Sequence, residues 1–166
     1  MHAYGNASCR CGAADLDYEK NVSGSFRRQR FMGFIGAELL RVWPGSCSMR
    51  LNYREDMAHE PRCFHPGVIG ALAESAGEFA ALSLMPPGSA LSTIEYKLSI
   101  LARGDGDALT ARATVVMSGP TLTVCAADVY VRKETAEHLC ATVLVTFMPS
   151  KRAPCETAAV GEGETS

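Results

Sequence analysis

Apolar residues recur along this chain with two different periods. Over 139–148, Leu139, Ala141, Val143, Val145 and Phe147 are set against Thr142 and Thr146, the period of two that belongs to a strand with one buried face. Runs 90–101, 108–117 and 122–132 are strand-like in the same sense. Two earlier runs, 37–43 and 47–53, join them and are separated by Pro44-Gly45, a strong turn signal. Between these two groups the period changes. From 68 to 84, Val68, Ile69, Leu72, Ala76, Phe79 and Ala80 form one wide stripe on a helical wheel, with Gly70, Glu74, Gly77, Glu78 and Ala81 opposite. Pro66 starts this helix, since its missing N–H costs nothing in a first turn, and Pro86-Pro87-Gly88 stops it. A short helix is expected over 25–32. Gly104-Asp105-Gly106 and Ser118-Gly119-Pro120 are expected to make tight connections between strands.

The element order is thus two strands, one long helix, then four strands, an α+β pattern. A single helix cannot form a layer of its own. A strongly curved antiparallel sheet wrapped around it buries both partners. Such a half-wrap leaves strand edges open, and pairing with a second copy closes them, so a homodimer is expected, with further pairing into a homotetramer left open. Residues 1–24 lack apolar periodicity and read as a flexible leader, and 150–166, with Pro, Gly, Glu and Thr, as a flexible tail. One folded domain, 25–149, lies between them.

Composition narrows the function. The chain has 166 residues, 47% of them apolar and 20% charged, enough to bury one core. A net charge of -2 supplies no footprint for nucleic acid or an anionic membrane, and the basic residues near Arg27–Arg30 and at Lys151-Arg152 are too dispersed to change that. No stretch has the apolar length needed to span a bilayer, and none has the pattern of a signal peptide. The seven cysteines are irregularly spaced and partly embedded in apolar runs, which argues against a disulfide framework and for a reducing, cytoplasmic setting. Cys9-Arg10-Cys11, with His2 nearby, has no second pair at zinc spacing, so no metal is expected.

The helix and its flanks carry more specific signals. His65-Pro66-Gly67-Val68-Ile69-Gly70-Ala71-Leu72-Ala73-Glu74 resembles the His-Gly-Gly…Leu-x-Asp/Glu motif of PaaI-like hotdog-fold acyl-CoA thioesterases. Thr93-Ile94-Glu95-Tyr96-Lys97-Leu98 with Leu101-Ala102-Arg103-Gly104 resembles the family's next strand and turn. Ser118-Gly119-Pro120-Thr121-Leu122-Thr123-Val124 resembles its following hairpin. The resemblance runs from about Gly33 to Met148. It implies a hotdog fold and hydrolysis of an acyl or aryl-acyl coenzyme A thioester, with coenzyme A part of the substrate and no separate cofactor.

Thioester hydrolysis needs a carboxylate that attacks or activates water, and donors aimed at the oxygen that gains charge. The resemblance puts Glu74 at the catalytic carboxylate position and His65 at the helix entrance as support. It puts His59 where relatives hold the thioester or water, and Glu78 where some carry a water-orienting hydroxyl. Thr93 aligns with a hydroxyl that related enzymes bring from the partner chain. Lys97 and Arg103 are prospects for the coenzyme A phosphates. Pro66 departs from the pattern, because the family's oxyanion donor is the backbone N–H just after the histidine, and proline has none. Three readings stay open: Gly67 supplies the donor instead, the reaction is slow, or the domain binds acyl thioesters without cleaving them. A hydratase or dehydratase built on His65 and Glu74 is the remaining alternative.

Overall fold

The computed structural model describes residues 17–150. The expectations for residues 1–16 and 151–166, including Cys9, Cys11, His2, Lys151-Arg152 and most of the tail, lie outside the described residues.

Helix α1 (Tyr18–Arg28) and the short α2 (Arg30–Ile35) come first. The single helix expected over 25–32 is therefore two, and α1 begins inside the stretch assigned to the leader. Gln29, with φ -77° and ψ 99°, is extended and breaks the helical path between them. Val22, the one buried residue of α1, ties it to the core. Half-buried Tyr18 and Phe26 pack beside it, four residues to either side, and the Phe26 ring stands edge-on to Phe79 at 5.7 Å, so the helical period is present in the sequence.

Strands β1 (Ala37–Trp43) and β2 (Ser46–Asn52) form a hairpin whose turn uses Gly45 at φ 77°, a left-handed conformation open to glycine. A 3-10 turn (Glu55–Met57) leads to two very short strands, β3 (Ala58–Glu60) and β4 (Cys63–Phe64), before α3 (Pro66–Leu82). Four strands follow: β5 (Ala90–Ile100), β6 (Ala108–Ser118), β7 (Thr123–Lys133) and β8 (Ala136–Ser150). The main sheet has six antiparallel strands in the order β1-β2-β6-β7-β8-β5.

This order corrects one expectation. Ser118-Gly119-Pro120 does close a β6–β7 hairpin, with the Gly119 N–H donating to Leu122 O. Gly104-Asp105-Gly106 closes no hairpin, because β5 pairs with β8 at the far edge while β6 lies beside β2. Its glycines serve close approach instead: a Cβ on Gly106 would fall 2.3 Å from Arg132 O, and one on Gly104 3.1 Å from Ile69 Cδ1.

The sheet folds around α3. Ala111, Ala113, Ala127 and Ala141 on its concave side are small and fully buried, which lets the helix sit close, while Leu109 and Phe147 fill the remaining space. Burial of α3 is wider than the apolar stripe, reaching Gly70, Gly77 and Ala81 on the side the wheel left opposite. A Cβ on Gly77 would meet Val145 Cγ1 at 2.9 Å. The small residues opposite the stripe thus face the same sheet, which curves far enough to reach them.

Candidate active site

Glu74 lies about two turns into α3 and is half-buried. Its carboxylate meets β5, where the Thr93 hydroxyl donates to Glu74 Oε1 at 2.5 Å. A β-bulge makes this contact possible. The β5–β8 register shifts between Thr93 and Glu95, so Ile94 is an extra residue. Beyond it Tyr96 and Leu98 pack against Gly70 of α3, with closest approaches of 3.6 and 3.3 Å to the position its Cβ would take. Thr93 and Tyr96 are an odd number apart, yet both face the helix. Regular alternation would turn one of them away.

At the helix entrance, His65 is the N-cap. Its Nδ1 accepts the Gly67 N–H at 2.9 Å, and its carbonyl oxygen accepts the N–H groups of Val68 (2.9 Å) and Ile69 (3.2 Å). Pro66 has no N–H, so every first-turn donor is absent or engaged. The His65 N–H in turn donates to Met57 O at 2.9 Å. His59 on β3 stands edge-on to His65, ring centroids 5.6 Å apart. Both imidazoles are exposed.

The remaining candidates are dispersed. Glu78 Oε2 accepts from Gln29 Nε2 at 2.7 Å, so this carboxylate is turned toward the α1–α2 junction. Nothing in the sequence signalled Gln29 as its partner. Arg103 donates to Glu60 at 2.5 Å, an ion pair that holds the guanidinium more firmly in its charged form and places it one residue from His59 in β3. Lys97 lies on the outer face of the sheet, where it lines a groove of about 480 Å³ together with Arg112, Asp128, Tyr130 and Leu144. It does not share a face with Thr93. Burial pushes the thiols of Cys47 and Cys125 up to about 12 and that of Cys140 to about 11, so none of these three is a nucleophile near neutral pH. Among the described residues, no group of His, Cys, Asp and Glu is arranged to hold a metal ion.

No protein-family model matches the sequence, and no curated protein does. Solved structures do. A thioesterase family protein from Silicibacter pomeroyi is similar over 80% of this chain and 97% of its own, with 32% identity and a TM-score of 0.78. This chain belongs to the thioesterase family. The same hotdog architecture recurs in the Escherichia coli PaaI protein of the phenylacetic acid degradation operon, at 18% identity and a TM-score of 0.73, covering 81% of this chain and 94% of that one. A Haemophilus influenzae thioesterase shares the fold at 21% identity and a TM-score of 0.68, covering 76% and 86%.

Within this thioesterase, two of the site candidates have hydrogen-bond partners in the same chain. Thr93, which the resemblance matches to a hydroxyl supplied by a partner chain, bonds Glu74 of its own chain. Gly67, the oxyanion donor in one of the three readings, has its N–H bonded to the His65 imidazole. The sequence shows that Pro66 lacks a donor. It does not show where the imidazole of the preceding residue turns.

Proposed function

We propose that this thioesterase hydrolyses acyl-coenzyme A, with Glu74 as the reacting carboxylate. The observation that carries the reading is the Thr93–Glu74 hydrogen bond, which fixes one carboxylate oxygen on the helix that the sheet encloses. In this reading the second oxygen, 3.5 Å from the Ser75 hydroxyl that donates to it, takes a proton from water. Water adds to the thioester carbon, the C–S bond breaks, coenzyme A leaves as the thiol, and the acyl group leaves as a carboxylic acid. Attack by the carboxylate itself, forming an anhydride that water then cleaves, uses the same geometry. The Gly67 N–H, once it leaves the His65 imidazole that it contacts in the free protein, is the donor for the oxygen that gains charge, in place of the one Pro66 lacks. No separate cofactor takes part, and the cytoplasm, where acyl-coenzyme A is made and used, is the proposed setting.

The acting form is a dimer. β5 ends the sheet, and among the described residues no strand pairs with its outer edge. Ile94, Tyr96 and Ile100 are 52%, 49% and 45% exposed along it, which a second copy would cover. Thr93 is itself exposed, so the Glu74 site borders the same edge and a partner would roof it. Arg103, beside the helix mouth, is the better placed of the two basic candidates for the coenzyme A phosphates, and whether two dimers pair into a tetramer is a matter for sedimentation.

The engaged first-turn donors favour one other reading, a domain that binds acyl thioesters and does not cleave them. Purified protein given a panel of acyl- and aryl-acyl-coenzyme A esters, with a reporter of free thiol, separates the two. Hydrolysis that disappears in Glu74→Ala supports the enzyme. Tight binding by calorimetry with no release above that control supports the binding domain.

A further inference from the structure

The first turn of α3 presents one N–H that a side chain, rather than the helix backbone, controls. Pro66 has none, and the N–H groups of Val68 and Ile69 are committed to the His65 carbonyl. Only Gly67 donates to a group that can move away, the His65 imidazole. That imidazole is exposed and held at its backbone by Met57 O, so the ring can swing about its own side-chain bonds while the cap residue stays in place. To accept this hydrogen bond Nδ1 must carry no proton, as in the neutral ring with its proton on Nε2. Protonating the ring converts Nδ1 into a donor and makes it repel the Gly67 N–H.

From this the geometry points to His65 as a positioning residue that masks the Gly67 N–H and releases it when the ring is protonated or turned aside. For catalysis the inference rests on the acyl-thioesterase reading, because only there does a freed N–H at this place have an oxyanion to hold. Masking keeps the resting helix end satisfied, which a proline-containing first turn otherwise leaves dependent on water. The titratable group facing His65 is His59, edge-on from β3. Glu60 on the same strand is taken up by Arg103, Cys63 on β4 is buried, and the first ionisable residue of α3 is Glu74, about two turns away. Among the described residues no carboxylate forms an ion pair with the ring.

The test separates the mask from the activity. In the full-length, ¹⁵N-labelled protein, hydrogen exchange and the chemical shift of the Gly67 amide are followed from pH 5 to 8.5, across the range in which imidazoles titrate. The Gly67 amide is expected to lose protection relative to its intrinsic rate by about fivefold or more at the acid end, the weight of one net hydrogen bond, with a midpoint matching the His65 ring resonances. His65→Asn keeps a capping acceptor that does not titrate, so its Gly67 protection should be the same at both ends. His65→Ala should lose it throughout. A Gly67 amide whose protection ignores both pH and the Asn substitution overturns the inference, and the wild-type and Asn proteins alone decide this if the Ala variant does not fold. In the activity arm, kcat on an acyl-coenzyme A should rise toward acid pH in the wild type relative to His65→Asn, with KM little changed. Parallel profiles in the two proteins would remove the catalytic role. If no form hydrolyses any ester, the proposed activity fails while the amide result still decides the mask.

Discussion

Thr93 shows how much a single residue's direction depends on its neighbours. In a regular strand it would share a face with Glu95 and Lys97, and Lys97 lines the outer groove. The bulge at Ile94 reverses this and brings the hydroxyl to Glu74. Glu74 itself was legible, because its distance from Pro66 sets its place on the helix. Thr93 was legible only as a residue type, since nothing in Thr93-Ile94-Glu95 marks an extra residue in one strand of a pair. A hydrogen bond to a carboxylate contributes more than a neutral one, so Thr93→Val should lower kcat about tenfold or more, while Thr93→Ser should restore most of it. Equal rates in the Val variant and the wild type would mean that Thr93 is only a strand residue. His59 and His65 were legible as candidates for the helix mouth. Their mutual edge-on contact and the capping bond of His65 depend on side-chain angles that no spacing encodes.

At the scale of elements, the strands were readable from alternation and the helix from its flanking prolines. Their contacts were less so. The wheel of α3 separates Gly70, Gly77 and Ala81 from the apolar stripe, yet all three are buried, because a sheet that curves around the helix touches most of its circumference. Small residues are the only sign of that approach, and they fit an interface with a second chain equally well. Gly77 makes the point measurable. A methyl there meets Val145 at 2.9 Å with Phe147 and Cys125 just behind it, so Gly77→Ala should destabilise the protein by about 1–3 kcal/mol as overpacking, despite the better helix propensity of alanine. A urea midpoint at or above the wild-type value would contradict the close helix–sheet packing. Gly106→Ala should be worse tolerated, since the obstacle is the Arg132 carbonyl, which cannot move without opening the β6–β7 ladder.

For the whole molecule, the sequence order gave two strands, a helix and four strands, but not the placement of β5 at the far edge. Short glycine turns look alike whether they join neighbours or start a crossover, and only pairing energies across the finished sheet decide. That placement leaves the outer edge of β5 without a partner strand among the described residues, and sedimentation should accordingly give at least twice the 17.7 kDa chain mass. A monomer at micromolar concentration would contradict the dimer. The buried thiols make a separate claim about pH. In the fold Cys47 and Cys125 titrate near 12, against an unfolded value of 9.0, so the fold favours the protonated thiol. Their contribution is complete below pH 9 and is lost as the pH rises from there toward 12. Denaturation midpoints should therefore fall between pH 8 and 10.5, and the fall should be smaller in a Cys47→Ala/Cys125→Ala protein. The same slope in both would place the alkaline sensitivity elsewhere.

The proposed hydrolysis depends most on Glu74, on the helix that the sheet encloses. The direct measurement is kcat/KM of wild type and Glu74→Gln on one acyl-coenzyme A ester, with circular dichroism and sedimentation confirming the same fold and assembly. Gln keeps the shape and can still accept from Thr93, but takes no proton. Glu74→Gln should lose ~10² to 10⁴, the range of a general base, carried by kcat. Hydrolysis at the wild-type rate by the folded Gln protein would contradict it.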